Sequence, residues 1–156
     1  MPRRGKVKKR EIIPDAKYNS RLVAQIINKV MKCGKKREAE RIVYTALEMV
    51  ENQGKGIPIE VLEQAVRNAT PILEVRPRRI AGSTYQVPVE VRGSRGLSLA
   101  IRWLINSARS HGGRPMAEKL ASEIIDAAQG QGAVIKRRDD LRKMAEANRA
   151  FAHFRW

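Results

Sequence analysis

The chain is poor in most of the side chains that carry chemistry. Its one cysteine, Cys33, cannot close an internal disulfide or build a cysteine-based zinc site. His111 and His153 are the only histidines, so metal ligation and imidazole catalysis have little material. No apolar run approaches the ~18 residues of a membrane span. The run Met1-Pro2-Arg3-Arg4-Gly5-Lys6-Val7-Lys8-Lys9-Arg10 leads into no hydrophobic segment. A secretory signal is therefore not expected, and a reducing, cytosol-like compartment is. Aromatic residues make up only 4% of the chain, which suits a helical core of Ala, Ile, Leu and Val. Acid is scarce as well: 16 Asp+Glu stand against 32 Lys+Arg, a net charge of +16 over 156 residues.

What is present is enough for a folded body. With 42% hydrophobic residues, a chain of this length is expected to form a single domain with a sizeable core. A charge of +16 repels itself in any compact state. It makes physical sense beside a polyanion, with nucleic acid the first candidate and an anionic membrane second.

Residues 1–18 read as a basic arm, ended near Pro14, with Asn19-Ser20 able to cap a following helix. Leu22, Val23, Ile26, Ile27, Val30 and Met31 form a helical stripe over 20–32, stopped by Gly34. Ala39, Ile42, Val43, Ala46, Leu47 and Val50 repeat the pattern over 37–53, stopped at Gly54-Lys55-Gly56. Pro58 fits the first turn of a third helix, where its missing N–H costs nothing, and that face continues to Thr70-Pro71. The period then changes. Residues 72–79 and 84–91, rich in Ile, Val and Tyr around Gly82-Ser83, predict a β-hairpin whose prolines, Pro77 and Pro88, suit an isolated arm with exposed edges. A fourth helix follows Gly93-Ser94 and ends at His111-Gly112-Gly113; a fifth runs from Pro115 to Ala128; a sixth is expected over 135–150. The expectation is mainly α: a six-helix bundle with a protruding two-stranded β-hairpin (within 72–92) and a basic N-terminal arm.

The cations fall in four clusters. The arm carries Arg3, Arg4, Lys6, Lys8, Lys9 and Arg10, and the turn after the first helix carries Lys32, Lys35, Lys36 and Arg37. The hairpin carries Arg76, Arg78, Arg79 and Arg92. Residues 91–117 hold no acid at all, yet contain Arg92, Arg95, Arg102, Arg109 and Arg114. Acid gathers instead in the second, third and fifth helices. One cluster alone reads as a solvated face; four clusters with this total read as a nucleic-acid-binding surface. Arginine's planar fork suits phosphates and base stacking, and an arginine-rich ribbon suits an irregular RNA groove. On these grounds architectural DNA binding stays open beside RNA binding.

The residues also carry a resemblance. Ser20, Leu22, Ile26-Ile27, Gly34-Lys35-Lys36, Ile42-Val43 and Ala46 match a known pattern in spacing. So do the stretches Val75-Arg76-Pro77-Arg78-Arg79-Ile80-Ala81-Gly82-Ser83-Thr84-Tyr85-Gln86-Val87-Pro88-Val89-Glu90 and Ala100-Ile101-Arg102-Trp103-Leu104. A fourth is Met144-Ala145-Glu146-Ala147-Asn148-Arg149-Ala150-Phe151-Ala152-His153-Phe154-Arg155-Trp156. Together and in this order they resemble the S-seven family of small-subunit ribosomal proteins in its bacterial and organellar form. The resemblance implies six helices and a protruding hairpin. It also implies binding to the 3′ major domain of small-subunit ribosomal RNA, nucleation of head assembly, and a place near the exit site beside transfer RNA and messenger RNA. Neighbouring head and platform proteins are implied partners, in a cytoplasmic ribosome or that of an organelle stroma or matrix.

Carried over by position, the ribosomal-RNA contacts become Arg3, Arg4, Lys6, Lys8, Lys9, Arg10, Lys35, Lys36, Arg37, Arg76, Arg78, Arg79, Arg92, Arg95, Arg109 and Arg114. The side facing transfer and messenger RNA becomes Ile80, Ala81, Gly82, Ser83, Thr84, Tyr85, Arg142, Lys143 and Arg149. The stretch before Asp15 matches least well. No enzyme activity, cofactor, metal or membrane is expected.

Other readings of single residues lead elsewhere. Gly34-Lys35-Lys36 follows a helix, whereas a nucleotide-binding phosphate loop follows a strand. Trp103, beside Leu99, Ile101 and Leu104, is expected in the core, and Cys33 as a small turn residue. Phe151, Phe154 and Trp156 either fold back on the bundle or dock on a partner. His111 is expected in a loop near phosphate. Asp126 and Asp139-Asp140 could serve a magnesium nuclease, but Lys136, Arg137 and Arg138 beside them favour local ion pairs.

Overall fold

The computed structural model describes Gly5, residues 11–53 and residues 56–154. Arg3, Arg4, Lys6, Lys8, Lys9, Arg10 and Trp156 lie outside the described residues. In order come α1 (Arg21–Val30), α2 (Lys36–Asn52), α3 (Pro58–Ala69), β1 (Leu73–Ile80), β2 (Ser83–Glu90), α4 (Gly93–Ser110), α5 (Met116–Ala128) and α6 (Gly132–Ala147). A 3-10 helix over Arg149–Phe154 follows.

The apolar stripes bury as their period demands. α5 is the central helix, packed against α2, α3, α4 and α6, while α1 lies on α2 and α4. Leu47, Leu62, Leu104 and Leu120 are fully buried, each worth about 1.5–3 kcal/mol relative to exposure. Trp103 joins this core at 6% exposure, with the Arg137 guanidinium 5.5 Å from its ring centre. Pro58 opens α3 as expected.

Four local differences from the sequence expectation have physical causes. α1 ends at Val30 because Met31 is extended and Cys33 and Gly34 both take positive φ, 53° and 73°, which a right-handed helix cannot contain. The hairpin turn is Ala81-Gly82 rather than Gly82-Ser83: φ is 48° and 87°, and Ile80 pairs with Ser83. Two consecutive positive φ values make a primed two-residue turn, whose twist matches the strands. Counting from that closing pair, Pro77 (opposite Gln86) and Pro88 (opposite Val75) fall on non-hydrogen-bonded pairs, where no ladder N–H is missed. α6 starts three residues early, at Gly132, and the last expected residues form the 3-10 helix instead.

The end of the first segment and the root of the hairpin are docked on the bundle. Within the 1–18 stretch, the Asp15 carboxylate accepts the N–H groups of Lys17 and Tyr18 at 3.1 Å and the Tyr44 hydroxyl at 2.6 Å. That fastens the chain entering α1 onto α2. The root of the hairpin is likewise no isolated ribbon. Val87 and Pro88 are buried, β1 packs on α6, and β2 packs on the 3-10 helix. The tip, residues 81–84, is exposed.

Candidate nucleic-acid interface

α4 is the spine of the site. Arg95, Arg102 and Arg109 recur every seventh residue, so they line one side of the helix over about 21 Å, and all three are exposed. Ser98 and Asn106 fill the same exposed stripe. No carboxylate lies on α4 or on the loops at either end of it, between residues 91 and 117. Gly96 permits the approach at the helix start, where an added Cβ would lie 2.9 Å from Thr70 Cγ2.

At its N-terminal end the stripe meets the hairpin through one buried acid. Glu74 is 5% exposed. It accepts Arg95 Nε at 2.6 Å and Arg76 at 2.5 Å. Burial works to raise the Glu74 pKa, but hydrogen bonds from Arg95 and Arg76, with their charges, hold it below the usual glutamate value. One carboxylate thus fixes two of the expected RNA-contact arginines beside Arg92, and the local charge remains positive.

At its C-terminal end the stripe meets the turn after α1. Arg109 Nη2 donates to the carbonyls of Val30 (3.1 Å) and Lys29 (3.4 Å). Arg109, Lys32 and Lys35 line one groove of about 290 Å³ with Met31, Ile42, Met116 and one acid, Glu38, which is paired to Arg41 at 3.2 Å. Lys36, paired to Glu40 at 3.6 Å, and Arg37 are exposed on the same turn. Three of the four basic clusters are therefore joined along α4. α3 and α5, elsewhere in the bundle, each carry more acidic than basic side chains.

Other expected contacts fall outside this line. Arg114 lines a recess with Glu118 and Asp126 between α2 and α5. Arg142 pairs with Glu146 at 3.1 Å and, with Arg67 and Arg138, lines a separate cleft of about 880 Å³ between α3, the start of β1 and α6. Lys143 and Arg149 are exposed. On the hairpin Arg79 is exposed and Arg78 half-buried, opposite Thr84 and Tyr85 respectively. Phe151 and Phe154 meet the hairpin, standing 5.0 and 6.0 Å from Tyr85.

Besides Asp15, two buried acids escaped sequence reasoning. Glu74 carried a weak signal, an acid among hairpin arginines. Glu123, 2% exposed on the core face of α5, carried none. It accepts the Ser107 hydroxyl at 2.8 Å and the Val134 N–H at 3.4 Å, and faces His111 Nε2 at 3.0 Å. His111 is a loop residue as expected, but its partner is this acid. The carboxylate, not the imidazole, is the middle member, so the imidazole does not serve as base to the Ser107 hydroxyl as a hydrolytic triad requires. Asp139 is ion-paired to Arg138 at 2.7 Å, in keeping with the local-pair reading. Among the described residues no group of three or more His, Cys, Asp or Glu could hold a metal, and no helix is long and apolar enough to cross a membrane.

The arrangement presents guanidinium groups at fixed spacing on a rigid helix, with ammonium groups at one end and an arginine ribbon at the other. Chemically it can hold phosphates. Residues 2–149 match the family model described as Ribosomal protein S7p/S5e. The chain belongs to that family. The family is structural and non-enzymatic. Among similar proteins, the small ribosomal subunit protein uS7 of Dictyoglomus thermophilum is 59% identical over 156 residues, covering both chains completely. That of Thermomicrobium roseum is also 59% identical over 156 residues with complete coverage of both. That of Chloroflexus aurantiacus is 58% identical over 154 residues, 99% of this chain and 98% of its own. Family membership extends across the α4 spine, the turn after α1 and the hairpin.

Proposed function

We propose that this chain is a structural constituent of the small ribosomal subunit that binds the 3′ major domain of its ribosomal RNA and nucleates assembly of the head. The observation carrying this reading is the acid-free arginine stripe of α4, tied at one end to the hairpin and at the other to the turn after α1. In this reading the bundle is a platform, and the hairpin and the basic arm reach between RNA helices. Lys35, Lys36, Arg37, Arg76, Arg79, Arg92, Arg95 and Arg109 contact phosphate, joined by Arg78, Arg114 and the arm cations Arg3–Arg10. Arg102, exposed on the same side of α4, joins them.

The hairpin tip from Ile80 to Tyr85, with Arg142, Lys143 and Arg149, faces transfer RNA and messenger RNA at the exit site. Head and platform proteins cover other surfaces. The place of action is the cytoplasmic small subunit, or its organellar counterpart, and the chain works as one RNA-binding domain without cofactor or metal.

The test is binding to a transcript of the 3′ major domain over a salt series, with duplex DNA as competitor. If ~8 phosphates are contacted, log affinity falls against log salt with a slope of about −6 to −7. Arg92→Ala with Arg102→Ala should weaken binding uniformly and flatten that slope, as should removal of residues 1–10. A flat salt response, or preference for duplex DNA, overturns the reading.

A further inference from the structure

We propose that the 3-10 helix is a clasp: Phe151 and Phe154 hold Tyr85 and so fix the direction in which the hairpin tip points. The inference deepens the RNA-binding reading above and rests on it for the hairpin's role.

The hairpin needs such a device. A two-stranded ribbon is marginal in water, and strands of eight residues extend about 26 Å. Its root is held twice, by burial of Val87 and by the Glu74–Arg95 contact at 2.6 Å. Those holds lie four and six pairs from the closing pair Ile80–Ser83. Tyr85 is opposite Arg78, two pairs from the closing pair Ile80–Ser83, and so belongs to the outer half.

Its ring meets Phe151 at 5.0 Å and 46°, and Phe154 at 6.0 Å and 31°. These are offset, tilted geometries of the favourable kind. The helix presenting them is itself tightened locally. The Phe151 N–H donates to the Asn148 carbonyl at 3.0 Å, and the His153 ring lies 3.8 Å from the Phe154 ring.

No residue of the 3-10 helix is buried, yet it packs on β2 and α6. The contact is therefore aromatic, only half-buried, and outside the bundle core. Opening it frees the outer hairpin without unfolding the body. Arg78 and Arg79 ride on that outer half, so the clasp acts as a positioning element for them.

The experiment places spin labels on the native Cys33, which is exposed on the turn after α1, and on Ser83→Cys at the tip. Distances are then measured by pulsed electron resonance in the full chain. The parent should give a narrow distribution. Phe151→Ala with Phe154→Ala should broaden it, leave the thermal midpoint nearly unchanged, and weaken binding to the RNA transcript roughly two- to tenfold. Tyr85→Leu should do the same, and Tyr85→Phe, which keeps the ring, should behave as the parent. An unchanged distance width in both ring-removing variants overturns the clasp. A broadened width with unaltered RNA affinity leaves the clasp standing and removes the hairpin from the RNA-binding reading.

Discussion

Arg109 reaches across from the last turn of α4 to the end of α1, where its Nη2 lies 3.1 Å from the Val30 carbonyl oxygen. The last carbonyls of a helix have no intrahelical donor and carry partial negative charge. A guanidinium satisfies both needs, and Arg109 also lines the groove shared with Lys35.

Arg109→Ala should therefore lower both stability and RNA affinity, unlike a purely surface cation. The expected cost to stability is about 1 kcal/mol, or a fall of roughly 2–4 °C in Tm for a domain of this size. Thermal unfolding of Arg109→Ala beside Arg102→Ala checks it. Equal Tm values for the two would deny Arg109 its capping part.

Glu74 makes the hairpin root sensitive to acid. Its folded pKa lies below the ordinary glutamate value of about 4.3, held there by Arg95 and Arg76 against the effect of burial. The contribution is thus fully present above that pH and is lost as pH falls through the folded value. The protection factors of the β1 and β2 amides, taken against the intrinsic exchange rate at each pH, should fall below about pH 4 before those of α5 do. In Glu74→Gln the hairpin protection factors should be low even at neutral pH, with little further change on acidification.

Tyr44 gives the opposite limb. Burial, followed by its hydrogen bond to Asp15, raises its pKa to about 12, against an ordinary value of about 10. The stabilisation is complete below the ordinary value and disappears as pH rises through the folded one. Tyr44→Phe should cost about 1 kcal/mol at neutral pH, and that deficit should shrink between about pH 10 and 12. Absorbance titration of the phenolate bands should lose its latest step in the variant.

Gly96 is a close approach between α4 and the turn before β1. Alanine there would gain about 1 kcal/mol of helix propensity, yet its Cβ would meet Thr70 Cγ2 at 2.9 Å. Thr70 cannot swing away freely, because its hydroxyl donates to the Val66 carbonyl at 2.7 Å. Overpacking of this kind costs about 1–3 kcal/mol, so Gly96→Ala should lower Tm. Adding Thr70→Ser, which removes the clashing methyl, should restore most of the loss.

Much of the molecule was legible beforehand, for a physical reason. Helical stripes such as Leu120, Ala121, Ile124 and Ile125 report burial at a period set by the backbone itself, so six helices, the hairpin and the place of Trp103 follow from local order. The absence of acid between residues 91 and 117 is equally local. Other features depend on residues far apart in the chain. The start of α6 rests partly on Glu123 of α5 accepting the Val134 N–H. Which arginines stand together rests on Glu74 reaching Arg95 across 21 positions. Arg109 caps a helix 79 residues earlier. Periodicity tells a side chain whether to turn inward, because that depends on its own helix or strand alone. Which charge becomes its neighbour depends on how separate helices cross, and only packing of the whole core sets that.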